Sequence, residues 1–141
     1  MTVAGLFLIS GLVLHAAEPA MRLSPKPVRD EVRGVVEAQL AALRTGDFGT
    51  AYDFAARGIR RQFDVQLFAL LLKRGYAPLL KPGPTDLGVV RDDGEGTAQV
   101  SVTVTDSQKR ATVYRYWLVK EGEAWRINGV VLEQRPPRGD I

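Results

Sequence analysis

Cysteine is absent from this sequence, and histidine occurs once, as His15. The absence of cysteine excludes disulfide bonds, thiolate nucleophiles and lipid attachment at an N-terminal cysteine. Because His15 lies in a segment that we expect to be removed, the mature chain would contain neither residue type. This excludes ordinary zinc sites and histidine-assisted nucleophilic catalysis. We therefore expect no metal and no cofactor, and only carboxylates, Tyr, Lys, Ser and Thr remain as catalytic candidates.

The sequence also has no long run of charge of one sign. Its 19 Lys and Arg and 16 Asp and Glu are interspersed and leave a net charge of +3. A nucleic-acid-binding protein needs its basic residues clustered on one face, so we expect no nucleic-acid partner. The length of 141 residues and the hydrophobic content of 45% are typical of one globular domain.

The first 17 residues carry no charged side chain, and the apolar stretch 3–14 lies within them. Such a stretch is too short to cross a bilayer comfortably as a helix, but it has the length of a signal-peptide core. The small residues Ala16 and Ala17 follow it, where cleavage could occur. We expect export, to the periplasm. The alternative is an uncleaved N-terminal anchor, which is the only way in which we expect the protein to contact a membrane.

Three helices are predicted in the first half of the chain. Val28, Val32, Val36, Leu40 and Leu43 recur at helical spacing after Pro27, and Gly46 ends that helix. A short second helix should begin after an Asp47 cap, end at Gly58 and carry an Asp53–Arg57 ion pair on its surface. The third, 65–74, follows an Asp64 cap, and its nearly continuous apolar run predicts burial on most sides.

The second half alternates with a period of two, which is typical of strands with one apolar face. The segment 76–88 contains three prolines and predicts a loop or an extended edge. Strands are predicted around 99–105, over 112–119 and over 125–133, with residues 59–63 and 120–123 as turns. The resulting fold class is α+β, with three N-terminal helices packed on a curved antiparallel sheet.

These elements divide the chain into four parts. We predict a signal peptide or anchor at 1–17, a tether at 18–27, the α+β domain at 28–133 and a disordered tail at 134–141.

Residues in both halves resemble a bacterial family known as domain of unknown function 4864. The residues that carry the resemblance are Gln39-Leu40-x-Ala42-Leu43, Asp47, Ala51-Tyr52-x-Phe54-Ala55, Ile59, Phe63, Phe68, Gly75-Tyr76-x-Pro78, Tyr116-x-Leu118 and Trp125-Arg126-Ile127-x-Gly129-Val130-x-Leu132. That family is similar to the nuclear-transport-factor-2-like superfamily. The resemblance implies a cone-shaped sheet whose wide mouth is closed by helices around an internal pocket.

The superfamily includes isomerases, cyclases and dehydratases as well as non-catalytic binding and dimerising domains, so the implied fold does not select a function. Its enzymes usually place Asp or His inside the cone, and the expected mature chain has no His.

Aromatic residues are the candidates for lining the implied pocket, with tyrosine hydroxyls as its polar groups. These candidates are Tyr52, Phe63, Phe68, Tyr76, Tyr114 and Tyr116. Arg57, Arg60 and Arg61 could contact an anion, although we favour a solvated face that is balanced by Asp53 and Asp64.

We therefore expect a non-catalytic domain that binds a small apolar or carbonyl-bearing molecule or a partner protein. One alternative is an isomerase- or dehydratase-like enzyme that uses a pocket carboxylate and a tyrosine. The other is a homodimeric interaction module.

Overall fold

The computed structural model describes residues 20–136, in which a helical region precedes most of an antiparallel sheet. The helices are α1 (Lys26–Arg44), α2 (Phe48–Asp53), α3 (Arg57–Gln62), α4 (Val65–Gly75) and α5 (Ala77–Leu80). The strands are β1 (Arg22–Leu23), β2 (Thr85–Leu87), β3 (Arg91–Asp92), β4 (Thr97–Thr105), β5 (Ala111–Glu121) and β6 (Ala124–Gln134). The predicted signal segment and residues 137–141 lie outside the described residues.

The six strands form one sheet in the order β1-β3-β4-β5-β6, and β2 pairs with the other end of β4. The three long strands are those that the period-two alternation predicts. Their buried positions alternate with half-buried ones along β4 and most of β5, so one face of the sheet forms the core. Register shifts between Val113 and Tyr114 and between Trp117 and Leu118 interrupt the pairing of β5 with β6, and such bulges bend a strand.

Helix α1 packs its predicted apolar stripe into this core. Val32 and Val36 are fully buried, and Leu40 and Leu43 are nearly so. Both predicted caps are present. The Asp47 carboxylate accepts a hydrogen bond from the Thr50 backbone N–H, and the Asp64 carboxylate accepts one from that of Leu67.

The prediction of a second helix that runs to Gly58 is wrong. Helix α2 ends at Asp53, and Ala55 forms an isolated bridge with Ile127 of β6. The Ile127 N–H donates to the Phe54 carbonyl and the Ile127 carbonyl accepts from the Ala56 N–H, both at 2.8 Å. A new helix, α3, then occupies most of the segment predicted as a turn. Because the helix ends before Arg57, Asp53 and Arg57 do not form the predicted ion pair among the described residues.

Two connecting segments contain more structure than expected. The segment predicted as a tether contributes β1 and the start of α1, because residues 22–23 pair with β3. The proline-containing segment after Gly75 includes the short helix α5, with Pro78 in its first turn, before β2 begins. Proline is tolerated there because the first N–H groups of a helix have no intrahelical partner.

Helix α4 is less buried than its composition predicts. Phe68 and Leu72 are buried, whereas Leu67 and Leu70 are each 40% exposed. The helix contacts α2 and α5 and packs through one face only. Within residues 20–136 no helix has the length and apolar character needed to cross a membrane.

Candidate functional site

The interior of the domain is almost completely filled. An internal void of about 20 Å³ lies between the helices and the sheet. Its lining comprises Gln39, Leu43, Ala55, Ile59, Phe68, Leu72, Tyr76, Leu79, Tyr116, Ile127 and Val130. A cavity needs ~10–15 Å³ for one water, so this void has room for about one water and not for a ligand. The large internal pocket implied by the family resemblance is therefore not present in the described residues.

Tyr76 and Tyr114 show how the interior is closed. The Tyr76 hydroxyl donates a buried hydrogen bond of 2.8 Å to the carbonyl of Val130. The Tyr76 ring lies 5.8 Å from the ring of Tyr114, centroid to centroid. Burial raises the pKa of Tyr76 well above the usual tyrosine range, and the neighbouring Tyr114 raises it further. Tyr76 is therefore a neutral donor that ties the start of α5 to β6.

Tyr116 is fully buried, and its hydroxyl has no hydrogen-bond partner among the described residues. Burial raises the pKa of this phenol strongly, against a smaller opposing effect of the Arg44 charge. An unpartnered buried hydroxyl costs ~1–3 kcal/mol relative to a hydrated one. The Tyr116 hydroxyl is thus buried in the core without a protein partner among the described residues.

Tyr52 and Phe63 line neither the internal void nor the larger cavity described below. The Tyr52 hydroxyl lies 2.6 Å from the carbonyl of Phe63 and 3.2 Å from that of Arg60. Its ring meets the Phe68 ring edge-on at 5.2 Å. The side chain therefore fastens α2 to α3 and α4. The six aromatic candidates are not brought together around one cavity.

A larger cavity, which we call the rim pocket, opens at the end of the sheet where β4 ends and β5 begins. It has a volume of about 410 Å³. Its lining comprises Arg44, Gly75, Ala77, Pro78, Lys81, Pro82, Val104, Thr105, Asp106, Arg110, Thr112, Tyr114, Leu132, Arg135 and Pro136. The volume lies within the ~300–1,000 Å³ typical of small-molecule pockets. The end of α1, the α4–α5 junction and three strands position these side chains.

Positive charge dominates the rim pocket. Arg44, Lys81, Arg110 and Arg135 line it, against the single carboxylate of Asp106. Asp106 is already paired, because its carboxylate lies 3.0 Å from the Arg110 side chain. The pKa of Asp106 is held below its usual value, mainly by a hydrogen bond from the Arg110 backbone N–H. Hydrogen bonds from the Gln108 backbone and from the Arg110 side chain have smaller effects in the same direction. Asp106 is therefore a poor candidate for a general base at neutral pH.

The other three cations have no carboxylate within 4.0 Å among the described residues. Arg44 is the most constrained of them, because it is half-buried and its Nε is buried without a hydrogen-bond partner. A donor in that position costs ~1–3 kcal/mol.

Tyr114 is the one aromatic candidate that lines the rim pocket. Burial raises its pKa to about 12, and the nearby Arg135 charge opposes the rise. No hydrogen bond joins the Tyr114 hydroxyl to another residue in the part of the chain that the structure describes, so the phenol remains available as a neutral donor.

Arg57, Arg60 and Arg61 lie on α3 with exposed side chains. The Arg57 backbone N–H donates to the Glu121 carboxylate at 2.9 Å. None of the three forms an ion pair within residues 20–136. Neither the rim pocket nor the internal void is lined by any of these three arginines.

Sequence reasoning missed the four cations of the rim pocket, because they lie far apart in the chain and form no motif. The only local signal is Arg44 in the last turn of α1, where a basic residue has the ordinary role of interacting with the helix dipole. Within residues 20–136, no three His, Cys, Asp or Glu side chains are grouped so that they could hold a metal ion.

Comparisons with known proteins agree with this architecture. The model of the family described as "Domain of unknown function (DUF4864)" matches residues 25–139. Among solved structures, the chain is similar to the 1.8 Å structure of Aln2 from a Streptomyces species, with a TM-score of 0.51 and 18% identity over 80% of this chain and 94% of that one. This likeness supports a nuclear-transport-factor-2-like α+β fold. No curated protein matches the sequence significantly.

Proposed function

The chain belongs to the family called domain of unknown function 4864, a membership that leaves its activity open, and we propose that it is a non-catalytic domain that binds a small molecule in the rim pocket. The observation that carries this proposal is the contrast between two cavities. The rim pocket offers about 410 Å³ and the internal void about 20 Å³. A ligand larger than water therefore has space at the rim and none inside.

The lining of the rim pocket is suited to binding. Val104, Leu132 and Pro78 supply apolar surface, and Tyr114 supplies a neutral phenolic donor for a carbonyl-bearing ligand. Ligand pockets commonly combine a mostly apolar wall with a few polar groups that fix orientation.

The same observations favour binding over acid–base catalysis. The isomerase-like alternative requires a carboxylic acid beside a tyrosine, and the pKa of that carboxylic acid must be raised toward neutrality. Among the described residues, no Asp or Glu lines the internal void. The carboxylate in the rim pocket, Asp106, has its pKa lowered.

Native mass spectrometry on protein purified from its own host tests the proposal. We expect a bound mass that the native protein retains and that denaturation releases. Ala77→Trp should abolish it, because Ala77 lines the rim pocket and the larger side chain would fill that space. Ala38→Trp is the matched control, since Ala38 is exposed on α1 and does not line the pocket. A native protein without bound mass, or a bound mass that survives Ala77→Trp, would contradict the proposal.

The same spectra report two further features that we propose. Export predicts loss of the N-terminal segment, so the polypeptide mass should correspond to cleavage near Ala17. The homodimer alternative is favoured by the exposed Leu67 and Leu70 on α4, which form part of an apolar surface. A native mass equal to that of a single subunit would exclude a stable homodimer.

A further inference from the structure

We propose that the molecule held in the rim pocket is a small amphipathic anion, with a carboxylate as its head group and an apolar body of medium length. This inference rests on the proposed function, because it names the chemical class of the ligand that the pocket selects. Three observations carry it: the charge of the pocket, the state of Arg44 and the arrangement of the apolar lining.

The charge of the rim pocket is not neutralised by the protein. The Asp106 carboxylate is engaged by Arg110 at 3.0 Å and by backbone N–H groups, so it does not compensate the other cations. Arg44, Lys81 and Arg135 line the pocket without a carboxylate within 4.0 Å among residues 20–136. A cleft lined by charge of one sign attracts ligands of the opposite sign.

Arg44 supplies the group that a carboxylate recognises. Its Nε is shielded from solvent and has no hydrogen-bond partner among the described residues. A guanidinium can hold a carboxylate through two parallel N–H···O bonds, and partial burial strengthens this pairing relative to one in water. Arg44 is the last residue of the long helix α1, which fixes the backbone from which its side chain extends.

The apolar part of the lining favours a ligand whose carboxylate is attached to an apolar chain. Val104, Leu132 and the prolines Pro78 and Pro82 belong to the same cavity as Arg44. An inorganic anion would leave this surface in contact with water, whereas an apolar chain would cover it. The volume of about 410 Å³ lies at the small end of ligand pockets and suits a medium chain better than a lipid with two long tails.

A series of ligands of equal chain length tests the head group. Titration calorimetry with octanoate, 1-octanol and octyltrimethylammonium below their aggregation concentrations compares an anion, a neutral alcohol and a cation. We expect octanoate to bind with one site per chain, about tenfold or more tightly than 1-octanol, because a hydrogen bond to a charged group contributes that much. Octyltrimethylammonium should bind most weakly.

Substitutions locate the interaction. Arg44→Met, which keeps much of the side-chain volume, should bring the octanoate affinity to within about twofold of that of 1-octanol, the loss expected when a charge-assisted contact is removed. Arg135 is exposed, so Arg135→Met disturbs no buried group and should reduce the preference for octanoate over 1-octanol several-fold. This variant tests the inference if Arg44→Met does not fold. Arg29→Met is the control, since Arg29 lies exposed roughly 22 Å away along the same helix and should leave both affinities unchanged.

The outcomes separate this inference from the proposed function. Equal binding of octanoate and 1-octanol, or a preference for octanoate that survives both Arg44→Met and Arg135→Met, would overturn the anion inference and leave the rim pocket as a neutral binding site. Absence of saturable binding by all three compounds would overturn the inference together with the proposed small-molecule site.

Discussion

The two buried tyrosines Tyr76 and Tyr116 should respond in opposite directions to loss of the hydroxyl group. In Tyr76→Phe, the protein loses a buried hydrogen bond of 2.8 Å to the Val130 carbonyl. Such a bond contributes ~0.5–1.5 kcal/mol net, and an acceptor left without a donor adds to the loss. We therefore expect Tyr76→Phe to lower the free energy of unfolding by about 1–2 kcal/mol.

Tyr116→Phe removes a hydroxyl that is buried without a partner among the described residues. Burial of such a group costs ~1–3 kcal/mol, so its removal should raise the free energy of unfolding by about 1 kcal/mol. The two variants should thus differ by about 2 kcal/mol or more. Both changes delete the same atom from the same residue type on the core side of the molecule, so each variant is the control for the other.

Urea denaturation followed by circular dichroism measures this difference. With a slope of ~1–3 kcal/mol per molar urea, a gap of about 2 kcal/mol separates the two midpoints by about 1 M, provided that the slopes agree. The reasoning would be refuted if Tyr116→Phe destabilised the protein as much as Tyr76→Phe does. That result would mean that the Tyr116 hydroxyl is held by a partner, and the packing of the internal void would have to be reconsidered.

Two further predictions concern backbone strain and alkaline pH. Gly83 has φ +144°, and a Cβ there would lie 2.6 Å from the Thr105 carbonyl oxygen, so Gly83→Ala should destabilise the protein by ~1–3 kcal/mol. Gly34 lies at an exposed helix position with open space around it, so Gly34→Ala should stabilise the protein by ~0.5–1 kcal/mol. Equal thermal midpoints for the two variants would contradict this prediction. Because burial raises the pKa of Tyr114 to about 12, the folded state keeps a proton that the unfolded state loses near pH 10, so the free energy of unfolding should fall as the pH rises from about 10 to about 12. Urea midpoints across that range, compared with those of Tyr114→Phe, measure the contribution of this residue, and a decline that is unchanged in Tyr114→Phe would exclude it.

The sheet could be predicted from the sequence because its pattern is local and strict. Val100, Val102 and Val104 alternate with polar residues, and each is buried in the structure. Helix starts at Asp47 and Asp64 were predictable for the same reason, since a capping side chain bonds to an N–H only three residues away.

The end of α2 could not be predicted in this way. Ala55 fits the helical pattern that begins at Phe48, but its segment instead runs beside Ile127 in β6, which lies about 70 residues later in the chain. Pairing over that distance leaves no trace in local spacing. The burial of α4 was overestimated for a related reason, because Leu67 and Leu70 are apolar and yet each remains 40% exposed.

The aromatic residues were predicted to line one internal pocket, and in the structure three of the six candidates, Phe68, Tyr76 and Tyr116, border the small internal void instead. Tyr76 and Tyr116 reach into the interior from the start of α5 and from β5, and together with Phe68 they reduce it to about 20 Å³. Tyr114 differs from Tyr116 by one period of the same strand, yet it borders the rim pocket. Position along a strand, and not residue type, decides which side chain can meet a ligand.

Tyr76 also separates the two cavities. It lines the internal void, its ring lies 5.8 Å from that of Tyr114, and Tyr114 in turn lines the rim pocket. The hydrogen bond from Tyr76 to Val130 therefore holds in place a ring that contacts the rim-pocket residue Tyr114 from the core side. Loss of that bond would leave the buried Val130 carbonyl without this donor. That cost opposes a shift of the Tyr76 ring that would enlarge the internal void, whereas the rim pocket is already open, and Arg44 and Arg135 line it with no carboxylate within 4.0 Å among residues 20–136.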